Sequence, residues 1–298
     1  MAHNEDFELL EAVEPTVARL LAEHQQRRSH WYFHDLIPWE RGQNFKEVPW
    51  DESQCTINER ARTSLVLNLL TEDNLPYYHS ALERHLPESS IWREWNGIWT
   101  AEEGQHAIAI RSYLLTSRNC DPYELEDDRM ATMKAGYEPN WNNPAELMAY
   151  TSAQELATRV SHRNAGKITE DEAAFELMRH IAADENHHFM FYKGVMAALL
   201  KEAPAIALEG IYRTLTNFQM PGVGIPGFVR RSIEIARAGV YNLRIHHDRV
   251  LMPLLEQWGI ATLEGLSQRA AEFQEKLMEL PAQVLHKAER FEARFAPA

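Results

Sequence analysis

The stretch Trp92-Arg-Glu-Trp95-Asn-Gly-Ile-Trp99-Thr-Ala-Glu-Glu103-Gly-Gln-His106-Ala-Ile-Ala-Ile110-Arg-Ser-Tyr113 carries bulky apolar residues every three or four positions, the period of one helix face. Glu103 and His106 interrupt that stripe instead of lying on a polar face. A spacing of three puts both side chains on the same side, about 5–6 Å apart at the β-carbons. The pattern recurs at Met178, Ile181, Glu185, His188, Tyr192 and Val195. A glutamate in such a register is buried, and a buried carboxylate without a strong partner is costly.

A Glu-x-x-His pair means little by itself, because chance yields roughly one or two in a helical chain of this composition. Two more glutamates sit in the same predicament. Glu72 follows Leu65 and Leu69, and Glu155 shares a stripe with Met148, Thr151, Thr158 and His162. Glu72 and Glu103 are 31 residues apart, and Glu155 and Glu185 are 30 apart. The single glutamates repeat at an offset of 83, the Glu-x-x-His pairs at 82. The chain therefore holds two copies of one unit: helix with Glu, reversal, helix with Glu-x-x-His. Four helices delivering four carboxylates and two histidines form the di-metal site of ferritin-like bundles. Oxygen donors with two imidazoles suit iron or manganese. The bland reading is four glutamates in salt bridges beside core histidines. The double unit predicts instead two metal ions, about 3–4 Å apart, on Glu72, Glu103, His106, Glu155, Glu185 and His188.

Working outward, helical periodicity covers 56–84, 88–117, 144–163 and 169–199, with shorter stretches near 203–219, 228–238, 243–257 and 262–278. Asp121-Pro122 and Asn143-Pro144 read as helix starts, and Thr169…Glu172 as a capping box. Strand signals are nearly absent. The expected fold is all-α: one domain over residues 1–298, with a ferritin-like four-helix core at about 56–200. Flanking helices are expected at about 203–295. Met220-Pro-Gly-Val-Gly-Ile-Pro-Gly227 is the strongest break.

The 298 residues are 45% hydrophobic and 25% charged, which excludes global disorder. A formal charge of −14 disfavours nucleic-acid binding. Cys55 and Cys120 form no thiolate motif. Neither a signal peptide nor a membrane span is legible, so a cytoplasmic protein is expected.

The flanking words resemble those of the soluble acyl-[acyl-carrier-protein] desaturases, particularly bacterial and actinobacterial ones. Plant members carry Thr-Ala-Glu-Glu-Asn-Arg-His and Ala-Asp-Glu-Lys-Arg-His; here they read Thr100-Ala-Glu-Glu-Gly-Gln-His106 and Ala183-Asp-Glu-Asn-His-His188. Thr71-Glu-Asp-Asn-Leu-Pro-Tyr-Tyr78, Gln154-Glu-Leu-Ala-Thr158 and the run Trp92, Trp95, Trp99 match as well. The likeness is closest over roughly residues 30–200. Gly104 departs from it, at about 1 kcal/mol of helix propensity.

The resemblance implies a di-iron enzyme that uses O2 and two electrons from reduced ferredoxin. Its substrate would be a saturated acyl chain on acyl carrier protein, its product a cis double bond, and its assembly a homodimer. Together with the pseudo-symmetry it assigns Asp184 to His106 and Glu102 to His188 as hydrogen-bond partners. Trp31 matches a tryptophan that passes electrons toward the aspartate; a plain core tryptophan is the alternative. Thr158 matches a threonine near the oxygen site, unless it merely bonds its own backbone. His79, His162, His180 and His187 read as core or surface residues, and His246-His247 as a solvated face. Arg230, Arg231 and Arg237 are candidates for carrier docking or a solvated basic face. An acyl channel is expected past Glu72 and Glu155, lined by Leu69, Leu75, Met148 and Thr151. A di-iron hydroxylase or oxidase on the same scaffold is the alternative within enzymes, and iron storage the alternative outside them.

Overall fold

The computed structural model describes residues 2–222 and 224–295. Val223, inside the expected break, lies outside the described residues, as do Met1 and 296–298 at the ends of the expected domain. Two N-terminal helices, α1 (Ala2–Ala12) and α2 (Glu14–Arg27), and a single turn, α3 (Phe33–Leu36), come first. Next are α4 (Glu59–Glu72), α5 (Leu75–His85), the long α6 (Ser90–Thr116) and α7 (Pro122–Ala135). The second half holds α8 (Pro144–Ile168) and α9 (Glu172–Glu202). Then follow α10 (Pro204–Thr216), α11 (Phe228–Arg237), α12 (Leu243–His246), α13 (Met252–Gln257) and α14 (Gln268–Phe295). No strand occurs among the described residues.

Helices α4, α6, α8 and α9 close a four-helix bundle: α8 lies along α9, α4 along α6, α4 against α8 and α6 against α9. The all-α, ferritin-like expectation holds. The core falls into two apolar clusters. One includes Trp92, Trp95, Trp99, Phe189 and Tyr192, the other Leu69, Ile110, Tyr113, Met178 and Ile181. On α6 and α9 alike, the Glu-x-x-His pair sits where one cluster gives way to the other.

Local chemistry sets most boundaries. Asn143 caps α8 by accepting the Glu146 N–H at 3.0 Å, with Pro144 at the first helical position. The cap of α9 is Asp171, which accepts the Ala174 N–H at 3.1 Å, and not Thr169 as the box spacing predicts. Glu170 takes a left-handed φ of 55° to reverse the chain, and the Thr169 hydroxyl turns back to the Gly166 carbonyl at 2.7 Å. Gly104 does not interrupt α6; a Cβ there would meet Leu75 Cδ2 at an ordinary 3.7 Å.

The expected helix over 56–84 is two helices, broken at Asp73–Asn74. Pro76 is the cause: it has no N–H to donate, and its ring clashes with the carbonyl four residues earlier, that of Glu72. The helix expected over 262–278 begins at Gln268 and passes through Pro281 to Phe295, because Leu277, Leu280, Val284 and Ala288 continue its buried stripe. Helices α1 and α2 were not anticipated, although Val17, Leu20, Leu21 and His24 form a helical stripe on α2. Helix α2 presses so close to α9 that a Cβ on Gly194 would stand 2.7 Å from Leu20 Cδ1. That contact carries His24 and Arg28 to the edge of the site.

Candidate metal centre

Glu72 comes from the last turn of α4, Glu103 and His106 from α6, Glu155 from α8, and Glu185 and His188 from α9; all six are buried. One donor atom from each of Glu72, Glu103, His106 and Glu185 lies within 4.8 Å of the others. The same is true of Glu103, Glu155, Glu185 and His188. Glu103 and Glu185 belong to both sets, so the arrangement is two adjoining four-residue positions.

Both imidazoles present Nδ1 to the centre. His106 Nδ1 lies 3.4 Å from Glu103 Oε2 and 3.7 Å from Glu185 Oε1. His188 Nδ1 lies 2.8 Å from Glu103 Oε1 and 3.6 Å from both Glu155 Oε2 and Glu185 Oε2. Their outer nitrogens face carboxylates in the crossed pairing the sequence suggests. His106 Nε2 is 3.2 Å from Asp184 Oδ2, and His188 Nε2 is 2.8 Å from Glu102 Oε2. A carboxylate there keeps the proton on Nε2, which leaves the Nδ1 lone pair inward.

Trp31 Nε1 donates to Asp184 Oδ2 at 2.8 Å, and its ring stacks 6.4 Å from that of His106. Trp99 Nε1 donates to Glu155 Oε1 at 3.0 Å. The Thr158 hydroxyl, one turn beyond Glu155, faces the carbonyls of Gln154 and Glu155 at 3.1 and 3.0 Å. Its hydrogen is therefore engaged with its own helix.

The electrostatics bear on what the centre could hold. Glu103 Oε1, Glu155 Oε2, both Glu185 oxygens and both inward Nδ1 atoms are buried without a well-aligned hydrogen-bond partner, the closest approach being the 2.8 Å between His188 Nδ1 and Glu103 Oε1. Bare lone pairs facing one another in a dry interior are unfavourable unless cations or protons lie between them. Burial and the charge of Glu103 push the Glu72 carboxyl up to about 8. Burial likewise holds Glu155 well above the carboxylate range, despite His188. Burial alone would lower both imidazoles, but the charge of Glu103 on His106, and for His188 the Glu102 carboxylate that accepts from Nε2 together with the Glu103 carboxylate beside Nδ1, hold them well above their usual value. Burial alone would raise Glu103, but His106 and His188 pull it well below. Without metal the cluster gathers protons where positive charge is wanted. A donor set of carboxylates and imidazoles, with no thiolate, fits a pair of divalent iron or manganese ions.

Sequence reasoning missed several partners. His24 Nε2 stands 3.1 Å from Glu102 Oε2, and Arg28 Nη1 2.7 Å from Glu102 Oε1. Hydrogen bonds from His188 and His24 overcome burial and hold Glu102 ionised far below its ordinary range. His162 is buried as a core residue would be, yet its Nε2 reaches Glu72 Oε1 at 3.1 Å. His180 lies 5.5 Å from the Trp31 ring, His187 6.1 Å from that of His24, and His79 faces Thr100.

His246 is not on a solvated face: it is buried, stacked 5.1 Å from Phe218, and meets the Tyr241 hydroxyl at 2.9 Å. The five residues after it form a wide π-helical turn that carries the ring inward. Arg231 is engaged by Asp128 at 2.5 Å, while Arg230 is exposed beside Glu234.

A cleft of about 760 Å³ opens beside the bundle, lined by Asn74, Tyr137, Trp141, Glu146, Tyr150 and Arg213 among others. Tyr137, Trp141, Tyr150 and Pro221 also wall an inner apolar cavity of about 20 Å³ that reaches Tyr78, Leu82, Trp99 and Thr151. Trp99 thus touches the cavity on one side and Glu155 on the other. Of the four expected channel residues only Thr151 lines it. Leu69 and Met148 are fully buried in the core, where neighbouring helices cover them, and Leu75, which follows the break after Glu72, packs against the core.

A family model described as fatty acid desaturase matches residues 5–298. The chain is 40% identical over 283 residues to "Putative acyl-[acyl-carrier-protein] desaturase DesA1" of Mycobacterium tuberculosis, covering 91% of this chain and 84% of that one. It is 29% identical over 252 residues to stearoyl-[acyl-carrier-protein] 9-desaturase 5 of Arabidopsis thaliana, a chloroplastic protein, covering 77% of this chain and 62% of that one. Among solved structures, DesA2 of M. tuberculosis H37Rv, which carries the same designation as DesA1, superposes with a TM-score of 0.70. The identity is 25%, over 89% of this chain and 99% of that one.

Proposed function

The chain belongs to the fatty acid desaturase family, and from that premise we propose that it is an acyl-[acyl-carrier-protein] desaturase with a di-iron centre. It takes a saturated acyl chain as the carrier thioester, two electrons from reduced ferredoxin, two protons and O2. It returns a cis double bond and two waters. The observation that carries this reading is the set of inward, unpartnered donor atoms on Glu103, Glu155, Glu185, His106 and His188.

Glu72, Glu103, His106, Glu155, Glu185 and His188 hold the two ions. When bound, the iron pair supplies the oxidising power that aliphatic C–H bonds demand and no side chain has. The chain's own residues do the rest. Glu102 and Asp184 hold the two imidazoles by their Nε2–H groups, with His24 and Arg28 fixing Glu102 and Trp31 fixing Asp184. Trp31 is the residue through which electrons reach Asp184. Thr158 keeps a hydroxyl beside Glu155. The acyl chain enters through the cleft and passes Tyr137, Trp141 and Tyr150; the cavity of about 20 Å³ along Thr151 and Trp99 marks its line of entry and must widen to admit it, its aromatic walls then excluding water. No helix among the described residues is long and apolar enough to cross a membrane, which suits a water-borne carrier in the cytoplasm. The assembly is a homodimer, as the family likeness implies.

The reading is tested by incubating iron-loaded protein with acyl carrier proteins of graded chain length, ferredoxin, its reductase and O2, then analysing the acyl products. Chains two hydrogens lighter are expected; hydroxylated or unchanged chains of every length would refute it. In the same assay, Thr151→Trp is expected to shift or abolish the chain-length preference while iron content stays constant.

A further inference from the structure

The two halves of the site carry equivalent donors in unequal surroundings. Glu155 accepts an indole N–H from Trp99 at 3.0 Å. Glu72 instead faces His162, whose Nε2 lies 3.1 Å from Glu72 Oε1 and 3.1 Å from Glu185 Oε1. His162 is 1% exposed and its Nδ1 has no partner, so the proton of the neutral ring belongs on Nε2, where Glu72 Oε1 accepts it; Glu185 Oε1 is equally near but takes no hydrogen bond, which leaves Glu72 as the carboxylate that His162 holds.

The inequality comes from the backbone. His162 stands seven residues after Glu155, two turns along the unbroken α8. Applied to His162, the 83-residue offset points back to His79. His79 lies beyond the break at Asp73–Asn74, on α5, where its Nδ1 faces Thr100 Oγ1 at 2.8 Å. The straight helix that continues past the single glutamate exists only in the second half of the chain. One side of the centre therefore has an imidazole that the other lacks.

We propose that His162 is a positioning residue for one metal position only, that of Glu72, Glu103, His106 and Glu185. The proposal rests on the two-metal reading above. His162 does not join the four donor atoms that lie within 4.8 Å of one another there. It acts through Glu72, by holding the carboxylate in one orientation before a metal arrives. Hydrogen-bond partners of metal-ligating groups typically account for about 10–100-fold in affinity. The two positions then differ in affinity although their donors are alike, and Trp99 plays the corresponding part for Glu155.

The test is titration of the metal-free, full-length protein with cobalt(II), followed by absorption and calorimetry, with thermal melts to establish folding. His162→Leu is expected to weaken one of the two ions by about 10–100-fold and leave the other unchanged. His162→Gln, which returns an N–H near the place of Nε2, should recover most of the loss. Trp99→Phe should weaken one ion as well, and the double variant should weaken both, because the two changes act on different positions. If His162→Leu does not fold, His162→Met takes its place. Equal weakening of both ions, wild-type affinities in the folded variant, no recovery with Gln, or a double variant with only one weak ion would each overturn the proposal alone. A wild-type protein that never binds a second cobalt ion would overturn the two-metal reading and the proposal with it.

Discussion

Glu103 and Glu185 lie within reach of both imidazoles, whereas Glu72 and Glu155 each belong to one set. Removing a shared carboxylate should therefore do more than removing a terminal one. Glu103→Ala is expected to lose tight binding of both ions and Glu72→Ala of one, read by elemental analysis after desalting. Identical stoichiometry in the two variants would mean that the sets do not share Glu103. The convergence of these six residues was legible because each breaks an apolar stripe, and a charge in a stripe must be answered by something. His24, Arg28 and His162 were not. Their relation to Glu102 and Glu72 is between helices, 78 and 90 residues apart for the two histidines, and no spacing rule reaches across such gaps. A stripe of Val17, Leu20, Leu21 and His24 was there to be read, but a lone histidine on an apolar face does not name its partner.

At the scale of elements, period and caps located the bundle helices, and a proline decided where one of them stops. Pro76 ends the straight run after Glu72, while nothing comparable interrupts α8 after Glu155. That single difference takes His79 out of the position His162 occupies, and it leaves Asn74 at the rim of the cleft. Pro281 shows the converse: α14 runs through it because a buried stripe on both sides outweighs the lost hydrogen bond. The π-helical turn after His246 had no readable signal, since a widened turn shifts the register without changing composition. Its consequence is measurable. Burial lowers the His246 pKa from 6.5 to about 4, so the unfolded chain takes up this proton at a higher pH than the folded one. The contribution to stability is complete above about pH 6.5 and is lost as the pH falls toward 4; at pH 5 the loss is about 2 kcal/mol. Melts of wild type and His246→Gln at pH 7 and pH 5 isolate it, because other titrating groups cancel in the difference. Equal drops in the two proteins would contradict the assignment.

For the whole molecule, the 82- to 83-residue repeat is what made the architecture readable: it requires two like helix pairs around one buried charged centre. The substrate path was less legible, because its walls come largely from the segment between α7 and α8 and from the connection between α10 and α11, irregular stretches with no period to read. A homodimer is expected to give about twice the 34.5 kDa chain mass in light scattering at micromolar concentration; a particle of the single-chain mass would contradict it. The claim on which the rest depends is the two-metal centre. Reconstitution of metal-free protein with iron(II), followed by iron quantitation and X-ray absorption at the iron edge, tests it most directly. The account predicts two ions per chain and an iron–iron scattering distance of about 3–4 Å. One tightly held ion per chain at most, with no iron–iron scattering, would contradict it.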